Sequence, residues 1–152
     1  MIKLNFPEYA FRLKSEDGKL YIFDAIRKKF LLCTPEEWVR QHLVQYLLNE
    51  RNYPASLIAL EMGISYNDLK RRCDIVVFER HGLPLLIVEC KAPRVKISQD
   101  TFDQIARYNM KLRVPWLVVS NGIEHYTCKV DFGKKSYRFI KEIPLYNDLE
   151  HF

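Results

Sequence analysis

Arg72-Cys73-Asp74-Ile75-Val76-Val77-Phe78-Glu79, then the turn signal His81-Gly82, then Leu85-Leu86-Ile87-Val88-Glu89-Cys90-Lys91: this stretch decides the fold. Both arms are rich in β-branched and other apolar residues, the composition of buried strands. They predict an antiparallel hairpin, and Pro93 ends its second arm. A two-residue turn at His81-Gly82 sets Asp74 opposite Glu89. The Cβ atoms of such a pair lie about 4.5–5.5 Å apart on one face of the sheet, and like charges there repel. A divalent cation reverses that cost, because hard cations such as Mg²⁺ take oxygen ligands. Lys91 stands two residues beyond Glu89 and so points to the same face. An ammonium there can orient a water or stabilise charge on a phosphate. Cys90 turns its side chain into the core, which leaves its backbone carbonyl as a further oxygen ligand.

Downstream, Ser98 to Lys111 reads as a helix, with Ser98 as cap and Phe102, Ile105 and Ala106 at helical spacing. Gln104 and Tyr108 are four apart and share one face of it. Arg107, Lys111 and Arg113, with Arg94 and Lys96 in the loop before, are candidate phosphate contacts. Trp116 to Ser120 reads as a buried strand ending at Asn121-Gly122. A helix between two buried strands predicts a crossover onto the same sheet. Glu124 to Asp131 is a further strand, and Tyr137 to Ile140 another.

Upstream, Ser56 to Met62 reads as a strand and Gly63 to Asp68 as turns. Thr34-Pro35-Glu36-Glu37 is a helix start, with Thr34 as N-cap, Pro35 at the first helical position and Glu37 three residues on. That helix runs to about Asn49, before the break at Tyr53-Pro54. The first 33 residues alternate apolar and polar about Glu16-Asp17-Gly18, which predicts a β-hairpin, with a third short strand at Lys29 to Leu32. Phe6, Tyr9, Phe11, Tyr21 and Phe23 read as packing residues rather than a base-stacking surface. Lys70-Arg71-Arg72 and Lys134-Lys135 read as solvated charge.

Composition narrows the class. The chain has 152 residues, enough for one domain with its own core. Its 48% apolar content excludes a disordered chain. The longest apolar run, Leu83 to Val88, is far short of the roughly 20 residues that span a bilayer. Residues 1–8 carry no apolar signal core, so a cytoplasmic location is expected and no membrane partner. Cys33, Cys73, Cys90 and Cys128 are widely spaced, as are His42, His81, His125 and His151, which points to free thiols rather than a zinc site. A net charge of +5 permits an anionic partner without demanding one.

Asp74, Glu89-Cys90-Lys91 and Gln104-x-x-x-Tyr108 together resemble the PD-(D/E)XK nuclease superfamily. Arg72-Cys73-Asp74-Ile75-Val76-Val77, Val88-Glu89-Cys90-Lys91-Ala92-Pro93, Asp103-Gln104-x-x-x-Tyr108 and Pro35-Glu36-Glu37-Trp38-Val39-Arg40-Gln41 look, more narrowly, like the N-terminal nuclease domain of type I restriction enzyme R subunits. Cys73 stands where the superfamily's name expects proline. The resemblance implies an α/β fold with a restriction-endonuclease-like central mixed β-sheet flanked by helices. Residues 1–152 would form one domain, with a core over 34–131 and a β-hairpin extension over 1–33. It implies Mg²⁺-dependent hydrolysis of phosphodiester bonds, with Mn²⁺ able to substitute, and DNA as the partner. Asp74, Glu89 and the Cys90 carbonyl would be metal ligands, Lys91 the catalytic lysine, and Gln104 and Tyr108 the accessory pair. Glu37 would be the acidic residue of the first helix, with Glu61 as the alternative. The R subunits continue into an ATP-driven translocase, whereas this sequence carries no G-x-x-x-x-G-K-[ST] loop. A free-standing nuclease, a homodimer, and a domain working with a separate ATPase or specificity subunit all remain open. So does a non-catalytic module that only binds nucleic acid.

Overall fold

The computed structural model describes residues 1–150, so His151 lies outside the described residues. A small antiparallel sheet forms first, from β1 (Leu13–Glu16), β2 (Lys19–Asp24) and β3 (Lys29–Leu32). Helix α1 (Pro35–Glu50) follows. Then come β4 (Ile58–Tyr66), β5 (Leu69–Phe78), β6 (Pro84–Cys90), α2 (Gln99–Leu112), β7 (Trp116–Ser120), β8 (His125–Asp131) and β9 (Ser136–Ile140). The last six strands make one sheet in chain order. Every neighbouring pair in it is antiparallel except β6 and β7, which are parallel because α2 carries the chain back across the sheet. The fold is therefore mixed α/β, with a β extension preceding the first helix.

The central strands are apolar on both faces because a helix covers each face. Val39, Leu43, Val44 and Leu47 of α1 pack with Ile75, Val77, Leu86, Val88, Trp116 and Val118. The alternate residues Leu117 and Val119 pack with Phe102, Ile105 and Ala106 of α2, and Val76 and Ile87 pack with Leu112. A continuous apolar run such as Leu85 to Val88 is thus a strand read from two sides. The four cysteines are free, and all but the half-buried Cys33 are buried. Among the described residues, no helix is long and apolar enough to cross a membrane.

Three local expectations change. The stretch Gly63 to Asp68 is mostly strand: β4 continues to Tyr66, and the turn contracts to Asn67-Asp68, with Asn67 at φ 55°. The β5–β6 turn is wider than two residues. Ile75↔Val88 and Val77↔Leu86 keep the expected register, but it shifts at Phe78↔Pro84, and the Glu79 N–H donates to the Leu83 carbonyl. The bulge absorbs the extra turn residue, so the functional end of the hairpin is unaffected. The capping box at α1 is half made. Thr34 Oγ1 accepts from the Glu37 N–H at 3.0 Å, but the Thr34 N–H donates to Leu32 and the Glu37 carboxylate is engaged elsewhere.

The N-terminal segment is fastened at Gly122, whose carbonyl accepts from the Asn5 N–H at 2.7 Å. Gly122 has φ +87°, and a Cβ there would lie 2.7 Å from Leu4 Cδ2 and 3.1 Å from Val39 Cγ2. Gly122→Ala is expected to destabilise the protein by about 1–3 kcal/mol through strain and overpacking. A urea midpoint equal to the wild type's would show that Leu4 does not seat there.

Candidate active site

The site lies where β5 and β6 part. Pairing between them begins at Ile75↔Val88. At the next position Asp74 Oδ2 accepts the Cys90 N–H at 2.7 Å, replacing a ladder bond with a side-chain one. The pleat breaks at the same level. Cys73 and Val76 pack in the same cluster under α2 although they are three apart, whereas Ile75 packs under α1. Glu61, in the neighbouring strand between the pairs Leu60↔Ile75 and Met62↔Cys73, takes φ +50°. A left-handed non-glycine residue inside a strand costs about 1–2 kcal/mol and persists only where its surroundings hold it. Regular alternation would have put Asp74 and Glu89 on one face. The break instead lets Arg40 of α1 reach Asp74, while Glu89 meets Arg71.

Each carboxylate meets an arginine. Arg40 of α1 donates from Nη1 to Asp74 Oδ1 at 3.2 Å. Arg71 Nη2 lies 2.7 Å from Glu89 Oε1. That contact has the distance of an ion pair but not the alignment of a hydrogen bond, so Glu89 Oε1 is buried without an aligned donor. Burial raises the Glu89 carboxyl to about 7. Arg71 opposes that rise, the nearby Asp74 charge adds to it, and Lys91 opposes it again. Glu89 thus feels both Asp74 and Lys91, and the three form one electrostatic group. Lys91 lies one residue past the end of β6, half-buried, and its N–H donates to the Ser120 carbonyl at 2.8 Å.

The other residues singled out from the sequence divide. Glu37 is buried and saturated, accepting from Arg40 Nη2 at 3.0 Å, Arg40 Nε at 3.1 Å and Gln41 Nε2 at 2.9 Å. It positions Arg40 and offers no carboxylate to the Asp74 group. Glu36, one residue earlier, is exposed. Partial burial raises its carboxyl, Asp74 raises it further, and Arg40 and Lys91 pull it down. Glu36 thus senses the Asp74 charge, and adjacent glutamates at a helix start were the signal for it. About 100° of helix separates such neighbours, which sends only one toward the sheet edge.

Glu61 is tied to Arg27 Nη1 and Arg72 Nη2, each at 2.9 Å, and these bonds hold its carboxyl down at about 2. Tyr108 reaches the site through Arg71, whose guanidinium lies 4.9 Å over its ring, while its hydroxyl donates to the Lys70 carbonyl at 3.0 Å. Gln104 is exposed on the same helix. Arg113 is drawn off as the left-handed cap of α2, over the Phe132 ring at 4.4 Å. Arg40, Arg71 and Arg72 are the residues that sequence reasoning undervalued. Arg71 and Arg72 read as solvated charge because nothing in the chain marks which basic residue meets a distant carboxylate.

The donor set suits a hard divalent cation. It comprises two carboxylates, one with a buried oxygen lacking an aligned donor. Among the described residues no three His, Cys, Asp or Glu side chains gather into a metal cluster, so a cation here would rest on Asp74, Glu89 and main-chain or solvent oxygen.

Residues 35–144 match a family model described as the type I restriction enzyme R protein N terminus. No curated protein matches the chain. Among solved structures, the chain is similar to a fragment assigned to an HsdR subunit of a type I restriction enzyme from Vibrio vulnificus YJ016. The TM-score is 0.50 at 17% identity, over 71% of this chain and 23% of that one. At that identity the likeness is one of fold. The chain spans less than a quarter of that neighbour's length.

Proposed function

The chain belongs to the family of type I restriction enzyme R protein N termini, and from that premise we propose that it is a Mg²⁺-dependent nuclease domain of a restriction system, cutting phosphodiester bonds in DNA. One observation carries the reading. Asp74 Oδ2 accepts the Cys90 N–H, which brings its carboxylate to the end of β6 beside Glu89 and Lys91, and a buried Glu89 oxygen there has no aligned donor. Asp74, Glu89 and the Cys90 carbonyl would hold the cation. When bound, it would supply Lewis acidity to the scissile phosphate and lower the pKa of a water.

The chain's own groups do the rest. Lys91 holds a water or a phosphate oxygen beside the two carboxylates. Arg40, gripped by Glu37, fixes the Asp74 carboxylate from the α1 side. Tyr108 fixes Arg71 beside Glu89 from the α2 side. Binding to the DNA backbone rests on phosphate contacts and weakens steeply with salt.

The test uses plasmid and single-stranded DNA with Mg²⁺, Mn²⁺ or EDTA. Wild-type protein is expected to cut with either metal and not with EDTA, and Asp74→Ala to lose cutting. Metal-independent cutting, or full activity in the variant, would overturn the assignment. A second reading draws on the arginines that already neutralise both carboxylates: activity waits for a separate ATPase or specificity subunit. It predicts weak cutting by the isolated chain and strong cutting once the partner is added.

A further inference from the structure

The outer face of the small sheet is not used by the chemistry above. Ile22 and Asp24 turn inward and are fully buried. The pleat therefore turns Tyr21 and Phe23 outward. Phe23 pairs with Phe30, and Tyr21 pairs with Lys14 on one side and Leu32 on the other. The Phe23 and Phe30 ring centroids lie 5.3 Å apart. The Arg12 guanidinium lies 4.4 Å from the Phe23 centroid, and the Lys14 ammonium 4.5 Å from that of Phe30. Tyr21, Phe23 and Phe30 are half-buried, while Arg12, Lys14 and Leu32 are exposed. These three rings differ from Phe6 and Phe11, which pack against His42. Among the described residues these rings belong to none of the buried core clusters.

Charge says what it would hold. Lys19 adds an exposed cation on the same face of β2, and Lys28 adds another in the β2–β3 turn. Against them stand Glu16, paired with Lys14 at 3.3 Å, and Asp17 in the turn. Aromatic rings flanked by cations suit a ligand with flat faces and a polyanionic backbone. The sheet is also fastened to the candidate active site. Arg27, in the β2–β3 turn, bonds Glu61 at 2.9 Å, and Glu61 bonds Arg72, two residues before Asp74.

We infer that this face is a platform for single-stranded nucleic acid, on which unpaired bases stack against Tyr21, Phe23 and Phe30 while Arg12 and Lys14 meet the phosphates. Aromatic rings take any base, since every base has a π-face, so the platform tolerates sequence. The inference rests on the nuclease reading for its substrate: it assigns to that site a strand already unpaired beside the cut. It explains why aromatics that looked like packing residues sit outside the core.

The test is a binding measurement in EDTA, independent of cutting. Phe30→Trp places a fluorophore on the platform, with the wild type supplying the background from Trp38 and Trp116. A thymidine oligomer is expected to quench it, the same length of duplex to quench it much less, and inorganic polyphosphate not at all. Tyr21→Ala is expected to weaken oligomer binding about tenfold, in line with one lost stacking contact. Tyr21→Phe should restore it, which separates stacking from misfolding. Equal quenching by polyphosphate would overturn the inference, as would unchanged affinity in Tyr21→Ala. So would self-association that buries the fluorophore without DNA, because a second copy would then cover the face. Quenching without any Mg²⁺-dependent cutting would sink the nuclease reading alone, and cutting without quenching would sink the platform alone.

Discussion

Lys91→Ala is expected to lower Mg²⁺-dependent DNA cleavage by at least about 10²–10⁴-fold, the range lost when a positioned proton-transfer group is removed. The fold should not notice. Lys91 lies just past the end of β6, and the contact that fastens it is its own N–H to Ser120, which alanine keeps. Removing a half-buried ammonium with no hydrogen bond to break typically shifts stability by no more than about 0.5 kcal/mol. The measurement pairs a plasmid-nicking time course with urea unfolding of the same preparation. Loss of cutting with an unmoved midpoint assigns Lys91 to the chemistry. A variant that cuts at the wild-type rate removes it from the site. Lys91→Arg sharpens the result, since a planar guanidinium fork does not substitute for a compact ammonium on a flexible stem.

The largest expected effect on stability lies elsewhere, at Asp24. This carboxylate is fully buried at the end of β2. Its Oδ1 accepts the backbone N–H groups of Ile26 and Arg27, each at 2.8 Å. Its Oδ2 accepts Arg27 Nε at 2.7 Å and Gln41 Nε2 at 3.0 Å. Asp24 thus joins the small sheet to α1, and through Arg27 to Glu61. Asp24→Ala leaves Arg27 without its closest counter-ion and is expected to cost about 3–5 kcal/mol, the usual result of breaking a buried pair from one side.

The sign with pH follows from the same contacts. Burial pushes the Asp24 carboxyl up, but the Arg27 amide and guanidinium and the Gln41 amide pull it further down, so its folded pKa lies below its unfolded one. Its stabilisation is complete above the unfolded value, near about 3.9, and is lost as pH falls through the folded value. The gap between wild type and Asp24→Ala in urea midpoint is expected to be full at pH 7 and to narrow in strong acid. A gap that widens in acid would contradict this account.

The chain itself was enough for the element order and the mixed sheet. Those properties are local. The apolar arms from Ile75 to Val88 declare strands by composition, the caps Thr34 and Ser98 declare helix starts, and the length of the crossover declares the parallel pair β6–β7. The register of the two arms also survived at Ile75↔Val88 and Val77↔Leu86, because burial on both faces penalises any slip of the central strands.

Which arginine each carboxylate meets was decided by tertiary structure. The pleat breaks at Asp74 because Glu61 adopts a left-handed backbone beside it, and Glu61 is held there by Arg27 and Arg72. No local pattern announces that break. Packing likewise engages Glu37, which spends its oxygens on Arg40 and Gln41. Arg71 becomes a partner of Glu89 only when β5 and α2 bring Tyr108 under its guanidinium. Local sequence determines hydrogen-bonded elements through short-range sterics and the period of apolar residues. Ion pairs between segments far apart in the chain are set by where the folded backbone delivers each charge, and that is a property of the whole packed structure.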